Sequence, residues 1–177
     1  MKTNKNLIIL ALVVAMVILA VFILSFKSNK TSITPPVLQS NTTVGSREKT
    51  KTYESKKLNF RMEVPRESDI EEKQTYVDIM IRGMLIDIVR NGTNFGSLRA
   101  YLRDSDAKKK VVIVADEKAL MISGYEVVRR TETNTGSGTK QNLYYIYIDN
   151  WVYILSTSSE SLFPALDQIA QSFRYTP

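Results

Sequence analysis

A chain of 177 residues with an apolar run near its start leaves room for one globular domain of roughly 125 residues. It has no cysteine and no histidine, which excludes a disulfide framework, thiolate or serine–histidine catalysis, and the usual thiolate and imidazole metal sites. The formal charge of +6 is unevenly held: residues 1–57 carry nine Lys/Arg against two Asp/Glu and residues 58–177 carry 15 against 16, so the folded part is nearly neutral and a basic nucleic-acid face is excluded.

Residues 1–6 form a short tail. The unbroken apolar run from Leu7 to Phe26 spans about 30 Å as a helix, the thickness of a bilayer's hydrocarbon core. A secretory signal has a shorter apolar region that ends in small residues, whereas here Phe26 and Lys27 occupy the places a peptidase would read. The run is therefore expected to stay as a transmembrane helix, with the lipid bilayer as the partner of residues 7–26. Lys2 and Lys5 on one flank nearly balance Lys27 and Lys30 on the other. The short leading tail before a large domain predicts a single-pass cell-membrane protein with its N-terminus cytoplasmic and its C-terminal domain extracytoplasmic. From residue 27 to residue 52 the chain turns to Ser, Thr, Asn, Lys and the pair Pro35–Pro36, which reads as a disordered linker with a reach on the order of 28 Å.

The globular domain is expected over residues 53–177. In "KLNFRMEVP" the residues Leu58, Phe60, Met62 and Val64 alternate with polar ones, the mark of a strand with one buried face, and Pro65 ends it. Tyr76–Ile81 and Leu85–Val89 are two further strands around Gly83, with Asn91–Gly92 closing the second as a turn. Ser97 can cap a short amphipathic helix whose Leu98, Tyr101 and Leu102 share a face and whose lysines fall at its end. Val111–Val114 and Gly124–Thr131 are β-rich, with a turn at Asp116–Glu117 before Ala119. After the polar loop "ETNTGSGTKQ", the run "NLYYIYIDNWVYILSTS" is apolar on both sides of Asp149–Asn150: a two-residue turn between strands covered on both faces. The closing segment places Leu162, Leu166, Ile169, Ala170 and Phe173 on one helical face, with Ser159 or Ser161 as cap and Pro164 in the first turn. The expected class is α+β: an antiparallel β-sheet flanked by helices, preceded by one transmembrane helix.

The opening "FRMEVP", the late "YYIYIDNWVYIL" and the closing "LDQIAQSFRY" resemble PsbP-related domains over roughly Tyr53 to Tyr175. That resemblance implies an α/β/α sandwich, which many bacterial members carry behind one transmembrane helix, and a non-catalytic binding or assembly role. The family's best-known branch assists assembly of the photosynthetic oxygen-evolving complex. Members commonly place an aromatic just after the first-strand proline, where this chain has Arg66 and Glu67.

Several motifs invite sharper readings. Asp104 and Asp106 alternate as calcium ligands do, but Lys108 stands at the third ligand position and no closing Glu follows, so a solvated helix end is favoured. Asp116 and Glu117 are adjacent and point apart. "TGSGTK" lacks the third glycine and the Lys–Ser/Thr pair of a phosphate loop and joins two strands, so it reads as a hairpin loop. Tyr144, Tyr145, Tyr147, Trp151 and Tyr153 could present a stacking platform, although aromatics at strand spacing usually build core. Lys108 to Lys110 read as a solvated face rather than a lipid contact. The sequons at Asn29, Asn41 and Asn91 carry no meaning in most bacteria. No residue is assigned a catalytic, cofactor-binding or metal role. The expected function is a non-catalytic, membrane-anchored extracytoplasmic module that binds a protein or envelope component and no nucleic acid. The alternatives are an envelope enzyme using carboxylates or a Ser–Lys pair, and a structural subunit of a membrane complex.

Overall fold

Leu58, Phe60, Met62 and Val64, the alternate apolar residues of the first β-rich run, are all buried in the computed structural model, which describes residues 49–109 and 112–177. Their strand is β2 (Phe60–Pro65), the centre of a three-stranded sheet between β1 (Thr50–Ser55) and β10 (Arg174–Tyr175). Thr50, Lys51 and Thr52, read from the sequence as the end of the linker, thus belong to a strand. The remainder of that linker and the apolar run Leu7–Phe26 lie outside the described residues. Among the described residues no helix is long and apolar enough to cross a membrane.

A seven-stranded antiparallel sheet forms the body of the domain. Its strands are β3 (Asp69–Glu72), β4 (Tyr76–Ile81), β5 (Met84–Gly92), β6 (Val112–Ile122), β7 (Tyr125–Asn134), β8 (Lys140–Ile148) and β9 (Trp151–Thr157), in the spatial order β3-β4-β5-β9-β8-β7-β6. Three of its hairpins close through two-residue turns, Arg82–Gly83, Ser123–Gly124 and Asp149–Asn150, and all six of these residues have positive φ. That geometry matches the right-handed twist of the strands it joins.

Two helices pack against the sheets: α1 (Leu98–Lys108) and α2 (Phe163–Ser172), the latter entered through a single 3₁₀ turn, Glu160–Leu162. Ser97 caps α1, its Oγ accepting from the Ala100 N–H at 3.3 Å. Leu98 and Leu102 of α1 share a buried cluster with Val128, Leu143, Tyr145 and Val152. Leu166, Ile169 and Ala170 of α2 join Val127, Tyr144, Ile146, Tyr153 and the residues of β2 in a second cluster. Successive strand residues such as Val127 and Val128, or Tyr144 and Tyr145, point to opposite faces, so the two clusters lie on opposite sides of the large sheet.

The structure corrects three further local expectations. Asn91–Gly92 is no turn: it continues β5, with Asn91 opposite Val152 and Gly92 opposite Trp151. A Cβ on Gly92 would stand 3.3 Å from the Trp151 ring, so glycine is needed there for close approach and not for turning. Asp116–Glu117 is no turn either, since β6 runs unbroken through both, with a register shift between Val114 and Asp116. Neither Ser159 nor Ser161 caps α2 through its side chain. Leu162 holds the cap position, and Pro164 sits in the first turn as expected.

Candidate functional site

β7 carries two consecutive arginines, and strand alternation sends them to opposite faces, where each meets a different helix. On one face Arg130 is almost wholly buried and forks onto Asp106 of α1, Nη1 donating to Oδ1 at 2.7 Å and Nη2 to Oδ2 at 3.0 Å. Its Nε donates to Glu117 of β6 at 2.6 Å. Burial works against the guanidinium charge, but the bonds to Asp106 and Glu117 more than offset it and hold the group above its ordinary pKa. On the other face Arg129 donates to Asp167 of α2 at 3.2 Å, and Tyr144 donates to the same carboxylate at 2.7 Å. Burial, and then the Asp167 carboxylate, push the Tyr144 hydroxyl up.

Two residues along β7, Glu132 is also buried. Lys109 donates to it at 2.9 Å and the Tyr145 hydroxyl at 3.0 Å. Burial and the Glu132 charge push Tyr145 strongly up. Lys109 is therefore turned into the fold, which corrects the reading of Lys108 to Lys110 as a wholly solvated run. Lys108 pairs with Asp104 one helical turn earlier at 2.6 Å, and Lys110 lies outside the described residues.

The Arg130 ion pairs with Asp106 and Glu117 border a groove of about 340 Å³ between α1 and the β6–β7 edge of the sheet. Leu102, Ala119 and Val128 give it apolar contact surface, and Arg130, Asp106 and Glu117 hold one side through bonds to one another. Arg99 and Arg103, one turn apart on α1, stand exposed at its rim, with Glu126 across from them. An acidic group attached to an apolar body fits such a lining: the guanidinium forks receive the charge and the apolar residues receive the body.

The motifs singled out from the sequence fare unevenly. Asp104 and Asp106 face different cations rather than converging, Lys108 for the first and Arg130 for the second. In "TGSGTK" the Gly136 and Ser137 N–H groups donate to the Asn134 Oδ1 at 2.9 and 3.1 Å, so the donors a phosphate loop would use are already engaged. Of the five aromatics, Tyr144, Tyr145 and Tyr153 are buried, Tyr147 is half-buried and only Trp151 is exposed, under the Arg90 guanidinium at 4.4 Å. No shared platform forms. Asn91 lies within β5, and Asn29 and Asn41 fall outside the described residues.

One pair that sequence reading passed over is Asp78 and Asp87, directly opposite each other on β4 and β5. Each interrupts an otherwise apolar strand, which is the signal that could have found it. Partial burial, and then the hydrogen bond and charge of Asp78, raise Asp87 to about 6.

No family model matches the sequence, and no curated protein matches it. Among solved structures the chain is similar to the solution structure of cyanobacterial PsbP (CyanoP) from Synechocystis, with a TM-score of 0.53 and 11% identity over 72% of this chain and 93% of that one. It is also similar to a crystal structure from Bacteroides thetaiotaomicron, with a TM-score of 0.51 and 12% identity over 72% of this chain and 48% of that one. At such identities the likeness shows the fold alone: mostly antiparallel sheets with two helices, arranged as in PsbP.

Proposed function

We propose that the chain is a single-pass, membrane-anchored module with an extracytoplasmic PsbP-like α/β/α domain that binds a protein or envelope component without catalysing a reaction. The groove between α1 and β6–β7 carries this reading. Arg130, Asp106 and Glu117 are committed to one another, while Arg99 and Arg103 are presented outward beside apolar surface, a lining suited to holding a partner. The apolar run Leu7–Phe26 and the positive charge gathered before Leu58 support the placement at a membrane. The test is protease treatment of intact spheroplasts that express the full chain, followed by alkaline extraction of their membranes. The domain should be cleaved from outside and should stay with the membrane pellet. A domain protected from protease, or released by alkali, overturns the placement.

A second reading, an envelope enzyme working through carboxylates, draws support from the Asp78–Asp87 pair, because a carboxyl group raised to about 6 beside a second carboxylate suits acid–base work. Neither residue lines the groove. Crosslinking of a partner by photoreactive groups at positions 99 and 103, unchanged by Asp87→Asn, favours binding. A pH-dependent turnover near pH 6 that Asp87→Asn removes favours the enzyme.

A further inference from the structure

The two ends of the seven-stranded sheet are built differently. β3 at one end is short and acidic, four residues that include Asp69, Glu71 and Glu72, the ordinary protection of a free sheet edge. β6 at the other end runs for 11 residues, has no proline, and meets no strand on its outer side among the described residues. Ile113 and Met121 are 59% and 68% exposed, and Val114 and Leu120 are exposed as well. An edge this long, apolar at both ends and charged in the middle, is a template for a strand of matching charge.

The register identifies which strand it fits. Ile122 and Tyr125 flank the two-residue turn, so they exchange hydrogen bonds across the hairpin, and Leu120, Lys118 and Asp116 follow at alternate positions. Met121, Ala119 and Glu117 therefore turn their N–H and C=O groups outward. A second β6 laid antiparallel about a two-fold axis at Glu117 sets Asp116 of each copy against Lys118 of the other. Ala115 then meets Ala119, Val114 meets Leu120, and Ile113 meets Met121. Lys118 stands opposite Arg129 on β7, whose charge Asp167 already meets, so the carboxylate of the other copy supplies Lys118 with a counter-charge of its own. Glu117 meets its own counterpart at the axis, where the Arg130 bond in each copy already neutralises it. The register shift between Val114 and Asp116 confines the regular ladder to Ala115–Ala119 and leaves the apolar residues at either end to close over it.

We propose that two copies of this chain pair through β6, antiparallel about Glu117, joining their large sheets into one. This contact goes beyond the binding role and does not depend on it. It is tested with the full chain in detergent micelles by analytical ultracentrifugation, comparing wild type, Asp116→Lys, Lys118→Asp and an equimolar mixture of the two variants. The wild type should be dimeric, and each single variant should lose at least about tenfold in dimer affinity, because both cross-axis pairs become like-charged. The mixture should regain the dimer, because the introduced lysine of one variant then faces the introduced aspartate of the other. A misfolded variant could not be rescued by mixing. A monomeric wild type overturns the proposal, and so does a dimer indifferent to both substitutions, which would place the contact elsewhere, residues 7–26 included.

Discussion

Removing the buried Arg130 guanidinium would leave Asp106 and Glu117 without their shared cation, but both carboxylates stay in contact with water, at 39% and 46% exposure. Only the cation of this network is buried, so its loss strands no buried carboxylate and costs less than breaking a fully buried pair. Arg130→Ala should lower stability by about 1 kcal/mol, read from urea denaturation, because water takes over the two exposed carboxylates. The carboxylate pair on β4 and β5 behaves in the opposite sense. Asp87 titrates near 6 in the fold and near 3.8 as a free side chain, so the stability it contributes is present below pH 3.8 and is lost as pH rises through 6. Glu71 of β3 lies beyond Asp78 in the same cross-strand row and Ser156 of β9 beyond Asp87, so no cation on these strands stands directly opposite either Asp. Asp87→Asn should therefore stabilise the protein at pH 7 to 8, by about 1 kcal/mol after solvent screening is allowed for, with the gain vanishing near pH 4. Thermal melts across that range check it. Neither the Arg130 network nor the Asp78–Asp87 pair could be read from spacing alone. Their partners lie on different strands and on a helix, and only the register brings them together.

At the scale of elements, local chemistry was legible where one face of an element is buried and the alternation of side chains records it. β2, β4 and both helices have such a face, β8 and β9 show instead the continuous apolar run of strands buried on both faces, and the positive φ of Asp149 and Asn150 follows from the two-residue turn their sequence suggests. β6 lacks one. Nearly all of its residues are exposed, so nothing imposes a period of two on "VIVADEKALMI", and its charged middle reads as a break. β1, β3 and β10 escape for related reasons, being short or largely exposed. Asn91–Gly92 misled because the same dipeptide serves turns and close contacts, and only the facing Trp151 ring distinguishes them. The cap on α1 offers a measurement at this scale. Ser97→Ala removes the acceptor for the Ala100 N–H and should cost about 1 kcal/mol, with faster amide exchange confined to the first turn of the helix.

At the scale of the molecule, β1 is the strand nearest the proposed anchor along the chain. Among the described residues it pairs with β2 alone, and it buries little of itself. Beyond that ladder Tyr53 packs its ring against the core, and the other attachments are polar: Tyr53 donates to Glu72 at 2.6 Å, Ser55 to Glu72 at 3.0 Å, and Lys51 to the Ser68 carbonyl at 2.7 Å. A pull between the anchor and a partner held by the domain would enter the fold at Thr50 and load β1 before any strand of the large sheet. β1 would thus act as a mechanical fuse, peeling away and lengthening the tether at low force while the groove beside α1 keeps its shape. In an optical trap, stretching between the N-terminus and a handle on β7 should show a small early extension that accounts for Thr50–Ser55, followed by rupture of the rest at distinctly higher force.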